Sequence, residues 1–441
     1  MRSSLLNSNK KEMINVPEFP FPEEDIIATE YYGKHSHPHE IFKWLRANDP
    51  LRYFSPEGFA PFWAATTHDD IVEIEKQPAI FRSAIRTQIL PDRLLEAAQK
   101  QSESLGRNSE EPLFRSLVNM DLPDHKPFRQ LVMPWFRPSI LNRLEARLEQ
   151  ITRDILDEMM GDGSEKECDF VQDVAVWGPL RLICEILGVP QKDEQLLLKL
   201  TNEIFAGEDA EMNRSKQDSS GLMSSIMDLI TYFTDITASR RANPTDDLCS
   251  YIANGKIDGE YLADADLFGY YIIVVTAGHE TTRTAMSGGL KTLLDFPEQM
   301  QKLIDNPDLM KLGTEEMIRW TVPVTQFCRV ASEDYKIRDK TIRAGDSVGL
   351  FYASACRDEA YFPDGDEFIV TRQPNKHLAF GTGPHLCLGT VLARMEMRIF
   401  FKQLLPRIVK MEMTGDVNYL QASFVHGIKH LPIRYQLRPA E

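Results

Sequence analysis

The run Ala263–Phe296, ADADLFGYYIIVVTAGHETTRTAMSGGLKTLLDF, constrains the fold most. It reads as one long helix, stopped by Pro297. Its surroundings are helical too. ILNRLEARLEQITRDILDEMM and SSIMDLITYFTDITASRR repeat apolar residues at helical spacing, so Ser139–Ala242 is expected to be largely helical. Short strand-like pieces, LRYF, PFWAATT, CRVASED and KTIRAGDSVGLFY, lie toward the two ends. No regular alternation of strand and helix appears, which excludes a doubly wound parallel sheet. The fold class expected is therefore mainly α with small β-sheets.

The 441 residues are 42% hydrophobic and 26% charged, enough for a sizeable core. A formal net charge of -16 argues against nucleic acid as a partner. The first residues lack the apolar core of a secretion signal, and the longest apolar run, YYIIVVTAG, is about half the length that spans a bilayer. A cytoplasmic protein with no membrane segment is expected, and a monomer by default. Residues 1–22 read as a flexible N-terminal tail and 23–441 as a single domain. The six cysteines are scattered without a CxxC pair, so they form no disulfide framework.

One of them stands apart. FGTGPHLCLG, Phe380–Gly389, sets Cys387 in a glycine-rich loop just ahead of a helix. A helix start offers free N–H groups and a positive dipole end, both of which stabilise a thiolate. Gly381 and Gly383 permit backbone angles closed to other residues. Such a loop can aim several N–H groups at one sulfur, and Phe380 can shield it from water. Three readings fit: a buried thiol in a tight turn, a zinc site using His385 and Cys387, or a single thiolate on haem iron. Zinc wants about four ligands, whereas porphyrin supplies four of its own.

The pattern F-x-x-G-x-x-x-C-x-G, carried by Phe380, Gly383, Cys387 and Gly389, resembles the haem-binding loop of the cytochrome P450 family. TAGHETT resembles that family's oxygen-activation motif at Ala277, Gly278, Glu280, Thr281 and Thr282. EEMIRW resembles its E-x-x-R pair at Glu316 and Arg319, with Arg372 as third partner. DHKPFR resembles its H-x-x-x-R helix at His125 and Arg129. The resemblance implies the family's fold, a prism-like helical domain with a β-rich region. It implies haem b, with Cys387 on the metal and His125, Arg129, Ala277, Arg329, Phe380, Gly381, His385 and Gly389 around the cofactor. Glu280 and Thr281 would relay protons beside a local distortion of the long helix. Glu316, Arg319 and Arg372 would be structural.

The resemblance further implies a monooxygenase that inserts one atom of O2 into a C–H bond. No flavin or nicotinamide fingerprint and no iron–sulfur cysteine cluster is present, so a ferredoxin with its ferredoxin reductase is implied as electron source. Arg129, Arg394, Arg398 and Lys402 would form a basic patch for that acidic partner. The pocket positions are Ile85, Ile89, Leu90, Ile273, Thr276, Ala277, Val324, Phe327, Phe424 and Val425, which are mostly apolar. At a finer level, IFKWLRANDPL, EIEKQPAIF, YIANGKIDG and FVHGIKHLPIRY are similar to bacterial terpene-alcohol hydroxylases, favouring a monoterpene or alkyl-aromatic substrate. The alternatives are a fatty-acid or sterol hydroxylase, a non-redox haem-thiolate enzyme, or a haem sensor.

Overall fold

The long apolar run forms a helix from Asp264 to Asp295, one residue shorter at each end than expected. The computed structural model describes residues 17–96, 100, 115–205, 209, 211 and 220–440, so residues 1–16 of the expected tail lie outside the described residues. We label the helices that matter here α1 (Thr29–His35), α2 (His68–Glu75), α3 (His125–Val132) and α4 (Pro138–Met160). After them come α5 (Trp177–Leu187), α6 (Asp264–Asp295), α7 (Met310–Thr321) and α8 (Thr390–Leu404). Helix α6 is buried along most of its length, by Tyr271, Val275, Leu290 and Leu293 among others. A helix apolar on several faces belongs inside a core. Helices α5, α7 and α8 pack around it, and α8 also lies on α4.

Strands β1 (Leu51–Phe54), β2 (Phe62–Ala65), β3 (Phe81–Arg82), β5 (Gln326–Ala331) and β6 (Ser347–Phe351) form one sheet in the order β1-β2-β6-β5-β3. The pairs are antiparallel except β6 with β2, in which Ser347 stands beside Phe62. A second sheet joins β7 (Ile408–Met413), β8 (Pro432–Leu437) and β4 (Lys166–Asp169). Strand β4 and a π-helical turn at Phe170–Ala175 interrupt the stretch expected to be helical. The cause is tertiary: β4 pairs with the C-terminal strand β8, and the Phe170 N–H donates to the Leu431 carbonyl.

The expected tail is also shorter than read. The Phe19 ring packs edge-on against Phe21, Trp44 and Phe54, with the Arg52 guanidinium over its face. Burying these aromatic rings outweighs the chain entropy that a free tail would keep.

Two buried carboxyl groups near the C-terminal helices have opposite surroundings. Glu316 and Arg319 on α7 are both fully buried and joined by two hydrogen bonds of 2.8 and 2.7 Å. Arg372 Nε lies 3.1 Å from the same carboxylate, which also accepts from the Ile369 N–H and Asn375. Arg319 spends its remaining N–H groups on the carbonyls of Cys356, Gly365 and Glu367. Burial alone would raise the Glu316 carboxyl, but the bonds and charge of Arg319, the Ile369 N–H and Arg372 bring it below its ordinary range. Glu396 on α8 is as deeply buried, and its Oε2 has no hydrogen-bond partner. Burial pushes this carboxyl well above its usual value.

The two carboxyls therefore respond to removal with opposite signs. Glu316→Gln should destabilise the fold by about 3–5 kcal/mol, the loss expected when one partner of a buried pair is removed. Its stabilising contribution in the wild type is present above the ordinary carboxyl range and lost as pH falls. Glu396→Gln should instead raise Tm by roughly 2–4 °C at pH 8 and remove a loss of stability that grows from pH 5 upward. Thermal melts of wild type and both variants across pH 3–8 check this.

Candidate active site around Cys387

The loop between Phe380 and Gly389 is built by its glycines. Gly381 and Gly383 both take φ of +66°, in the left-handed region. At Gly383 a Cβ would also sit 2.5 Å from the Glu75 carbonyl oxygen, so no side chain fits there. The Cys387 N–H donates to the Phe380 carbonyl at 2.9 Å and closes the loop. Helix α8 follows with Gly389 as its cap.

Cys387 is exposed, while the atoms packed behind it push its thiol upward. The backbone of Gly389, then Arg129 and Arg394, pull the other way without matching burial. The several N–H groups expected at the sulfur thus reduce to the Gly389 N–H. A stable thiolate here calls for one more positive charge at the sulfur, the kind a metal ion supplies.

Glu75, at the end of α2, holds this loop, and no motif pointed to it. Its carboxylate accepts from the Thr382 N–H at 2.9 Å and from the Tyr352 hydroxyl at 2.7 Å, with Arg329 at 3.4 Å. Burial pushes the Glu75 carboxyl up, against Arg329 and these hydrogen bonds. One signal was available: Ile71, Ile74 and Glu75 share the buried face of α2, so Glu75 is an acid on an apolar stripe.

Basic groups converge beside the loop. The His125 and His385 rings stand 4.2 Å apart. His385 Nε2 lies 3.4 Å from Ser83 Oγ, and His125 Nε2 is buried with no hydrogen-bond partner. Arg129 donates to the Leu386 carbonyl at 2.6 Å. Burial, then Arg329 and His125, bring His385 down to about 3. Burial, then Arg129, lowers His125. Arg86, which the sequence reading did not include, is buried with Nε and one terminal nitrogen unpartnered. Its other terminal nitrogen donates to Ser347 Oγ at 3.1 Å. Buried cations with unused donors call for an anion.

On α6, Ala277 is exposed and Thr281 Oγ1 donates to its carbonyl at 2.7 Å. Thr276 is buried and donates to the Ile272 carbonyl at 2.6 Å; Ile273 is half-buried. The helix is continuous here, without the distortion expected. Gly278 has a packing reason instead, because a Cβ there would meet the Ile183 side chain of α5 at 2.5 Å. Glu280 does not sit with Thr281. It is buried on another side of the helix, in an ion pair with the buried Arg283.

Among the pocket positions, Val324 bridges Val425, and the Phe327 and Phe424 rings are 5.2 Å apart. Leu90 is half-buried and Ile85 is exposed. Ile89 packs into the core of the first sheet against Gly349. Two residues of the expected basic patch are paired within the chain. Arg394 forms two bonds to Glu315, at 2.6 and 2.9 Å, and Arg398 pairs with Glu145 at 3.0 Å. Those charges are compensated within the chain. No group of three or more His, Cys, Asp or Glu among the described residues is placed to hold a metal, so the zinc reading gains no further ligands. Among the same residues no helix is long and apolar enough to cross a membrane.

A cysteine on a glycine-built loop just ahead of a helix, flanked by His125, His385, Arg129 and Arg394, makes a site suited to a haem thiolate. The chain belongs to the cytochrome P450 family, whose profile matches residues 87–418. It is 38% identical over 418 residues to Cytochrome P450-terp of a Pseudomonas species, covering 93% of this chain and 96% of that protein. Linalool 8-monooxygenase of Pseudomonas putida is 33% identical over 397 residues, covering 90% and 95%. The crystal structure of CYP108D1 from Novosphingobium aromaticivorans superposes with a TM-score of 0.85 at 34% identity, covering 96% of this chain and 99% of that one. The protein is accordingly a P450 monooxygenase, an oxidoreductase.

Glu75→Ala should leave Arg329 without its carboxylate and free the loop at Thr382. Haem content per chain should fall by more than about half, since removing one member of a buried polar network loosens the rest. Far-ultraviolet circular dichroism should stay unchanged. Pyridine haemochrome assay of purified variant and wild type checks this.

Proposed function

We propose that this P450 monooxygenase holds iron protoporphyrin IX through Cys387 and hydroxylates a C–H bond of a monoterpene or alkyl-aromatic molecule. The observation that carries the cofactor reading is the cluster of Arg129 and Arg329 with the hydrogen-bonding rings of His125 and His385, where His125 Nε2 is buried and unpartnered. It suits the paired carboxylates of a porphyrin. Bound there, haem supplies four nitrogen donors and the redox iron at which O2 is activated. Electrons come from an external carrier, a ferredoxin with its reductase.

The chain's own residues then divide the work. Phe380 and the Glu75-braced loop keep the sulfur in place. Thr281, bonded to the Ala277 carbonyl on the exposed side of α6, is the hydroxyl placed to hold a proton donor at the reacting oxygen. Glu280, bound to Arg283 at rest, would relay protons by taking one from solvent water and passing it toward Thr281 once its carboxylate has turned away from Arg283. Val324, Phe327, Phe424 and Val425 offer an apolar wall without a charged side chain, which suits a small hydrocarbon-like substrate. The 38% identity to Cytochrome P450-terp, against 31% and 30% for a methyl-branched lipid omega-hydroxylase and a steroid C26-monooxygenase, supports that substrate class.

Two measurements test this. α-Terpineol, linalool or p-cymene should shift the ferric protein from low to high spin; a response to fatty acids or sterols alone would overturn the substrate class. Thr281→Ala should keep electron consumption within about twofold while product per electron falls at least tenfold, of the order of a lost acid–base group. Unchanged coupling would remove Thr281 from proton delivery.

A further inference from the structure

A buried histidine cluster lies behind the C-terminal turn that carries Phe424 and Val425. The His37 and His426 ring centroids are 4.9 Å apart, and His39 is 5.5 Å from His37. His426 Nδ1 lies 3.2 Å from the Leu420 carbonyl, and Nε2 lies 3.2 Å from Ser36 Oγ. A carbonyl only accepts, so Nδ1 carries the proton and Nε2 accepts from the Ser36 hydroxyl. His37 Nε2 meets Thr325 Oγ1 at 3.2 Å, and the His37 ring bonds the backbone of Val322.

These contacts join α1 to both sides of the turn. The Thr325 N–H donates to the Phe424 carbonyl at 2.8 Å, and the His426 N–H to the Pro323 carbonyl at 2.9 Å. The Leu420 N–H closes the turn on the Gly427 carbonyl. Gly427 presses on α6, where a Cβ would meet Thr284 at 2.3 Å, about one helical turn beyond Thr281. The backbone is strained on either side of the clamp. Ser36 and Val322 are both non-glycine residues at positive φ, +63° and +37°. Such outliers persist only where surrounding contacts enforce them.

We propose that His37 and His426 are positioning residues of the substrate pocket. As neutral rings they hold the turn Leu420–Gly427, with Phe424 and Val425, against Pro323–Thr325, and proton uptake by either ring releases the turn. The pocket role of Phe424 and Val425 rests on the functional reading above. The titratable and charged groups facing the rings are His39, Tyr32 and Tyr419 beside them and Arg46 and Arg357 behind. Burial, followed by neighbouring positive charge, lowers His37; burial brings His426 from 6.5 to about 4. A histidine held low in the closed state favours closure fully above pH 6.5, and that support is lost as pH falls toward about 4.

The test is hydrogen exchange of the holoprotein at pH 8 and pH 6, corrected for intrinsic rates and followed over the turn. Wild type should open roughly fourfold more at pH 6 for each imidazole that must be neutral. His426→Gln, which keeps both hydrogen-bonding functions, should lose part of this response, and the double variant H37Q/H426Q all of it. His426→Phe should exchange fast at both pH values. Equal protection of the wild-type turn at both pH values, or an unreduced response in the double variant, would overturn the proposal. Affinity for 4-phenylimidazole, read from the Soret shift at pH 8, should weaken at least fivefold in His426→Phe. A loosened turn with unchanged affinity would overturn the pocket role of Phe424 and Val425 while leaving the latch in place. A chain that binds no haem would instead sink the functional reading and leave the exchange result intact.

Discussion

Much of the site hangs on one buried carboxylate. Glu75 ties the Cys387 loop at Thr382, the sheet at Arg329 and the segment after β6 at Tyr352. A loop with two residues in the left-handed region has little local reason to keep one shape. Its order comes from the anchor. The carboxylate in turn tolerates burial only because a cation and two further donors face it. Loop, basic cluster and sheet thus share one electrostatic solution, and Arg329 contributes to both the anchor and the cluster. On the other side, Glu316, Arg319 and Arg372 fix the segment that leads into the loop, through carbonyls as well as charge.

Helix α6 separates two chemistries. Ala277 is exposed and Thr281 half-buried, while Glu280 and Arg283 lie on a buried side. An ion pair three residues apart keeps the acid on that buried side at rest. Gly278 and Gly427 serve the packing of this helix, the first toward α5 and the second toward the C-terminal turn. The residues around the reacting face are therefore set by close backbone approach as much as by side-chain bonding.

The long helix, most strands of the first sheet and the Cys387 loop were legible because each carries a local signal: an apolar run ended by proline, short aromatic and apolar stretches, and glycines at fixed offsets. Glu316 and Arg319 were legible by spacing on one helix turn. Glu75, Arg86 and Arg283 were not, because their partners are remote in sequence or their meaning depends on which helix face is buried. The tight bonding of Arg394 to Glu315 and of Arg398 to Glu145 was hidden for the same reason, so exposed-looking cations were read as a patch. The interruption of the helical stretch by β4 came from pairing with β8, more than two hundred residues away.

The central claim is that the chain presents a cysteine thiolate to haem iron from a loop fixed by Glu75. The most direct measurement is the absorbance spectrum of the dithionite-reduced holoprotein under carbon monoxide. A strongly red-shifted Soret band, absent in Cys387→His, is the predicted result. A Soret band at the position of histidine-ligated haem proteins in the wild type would contradict the account.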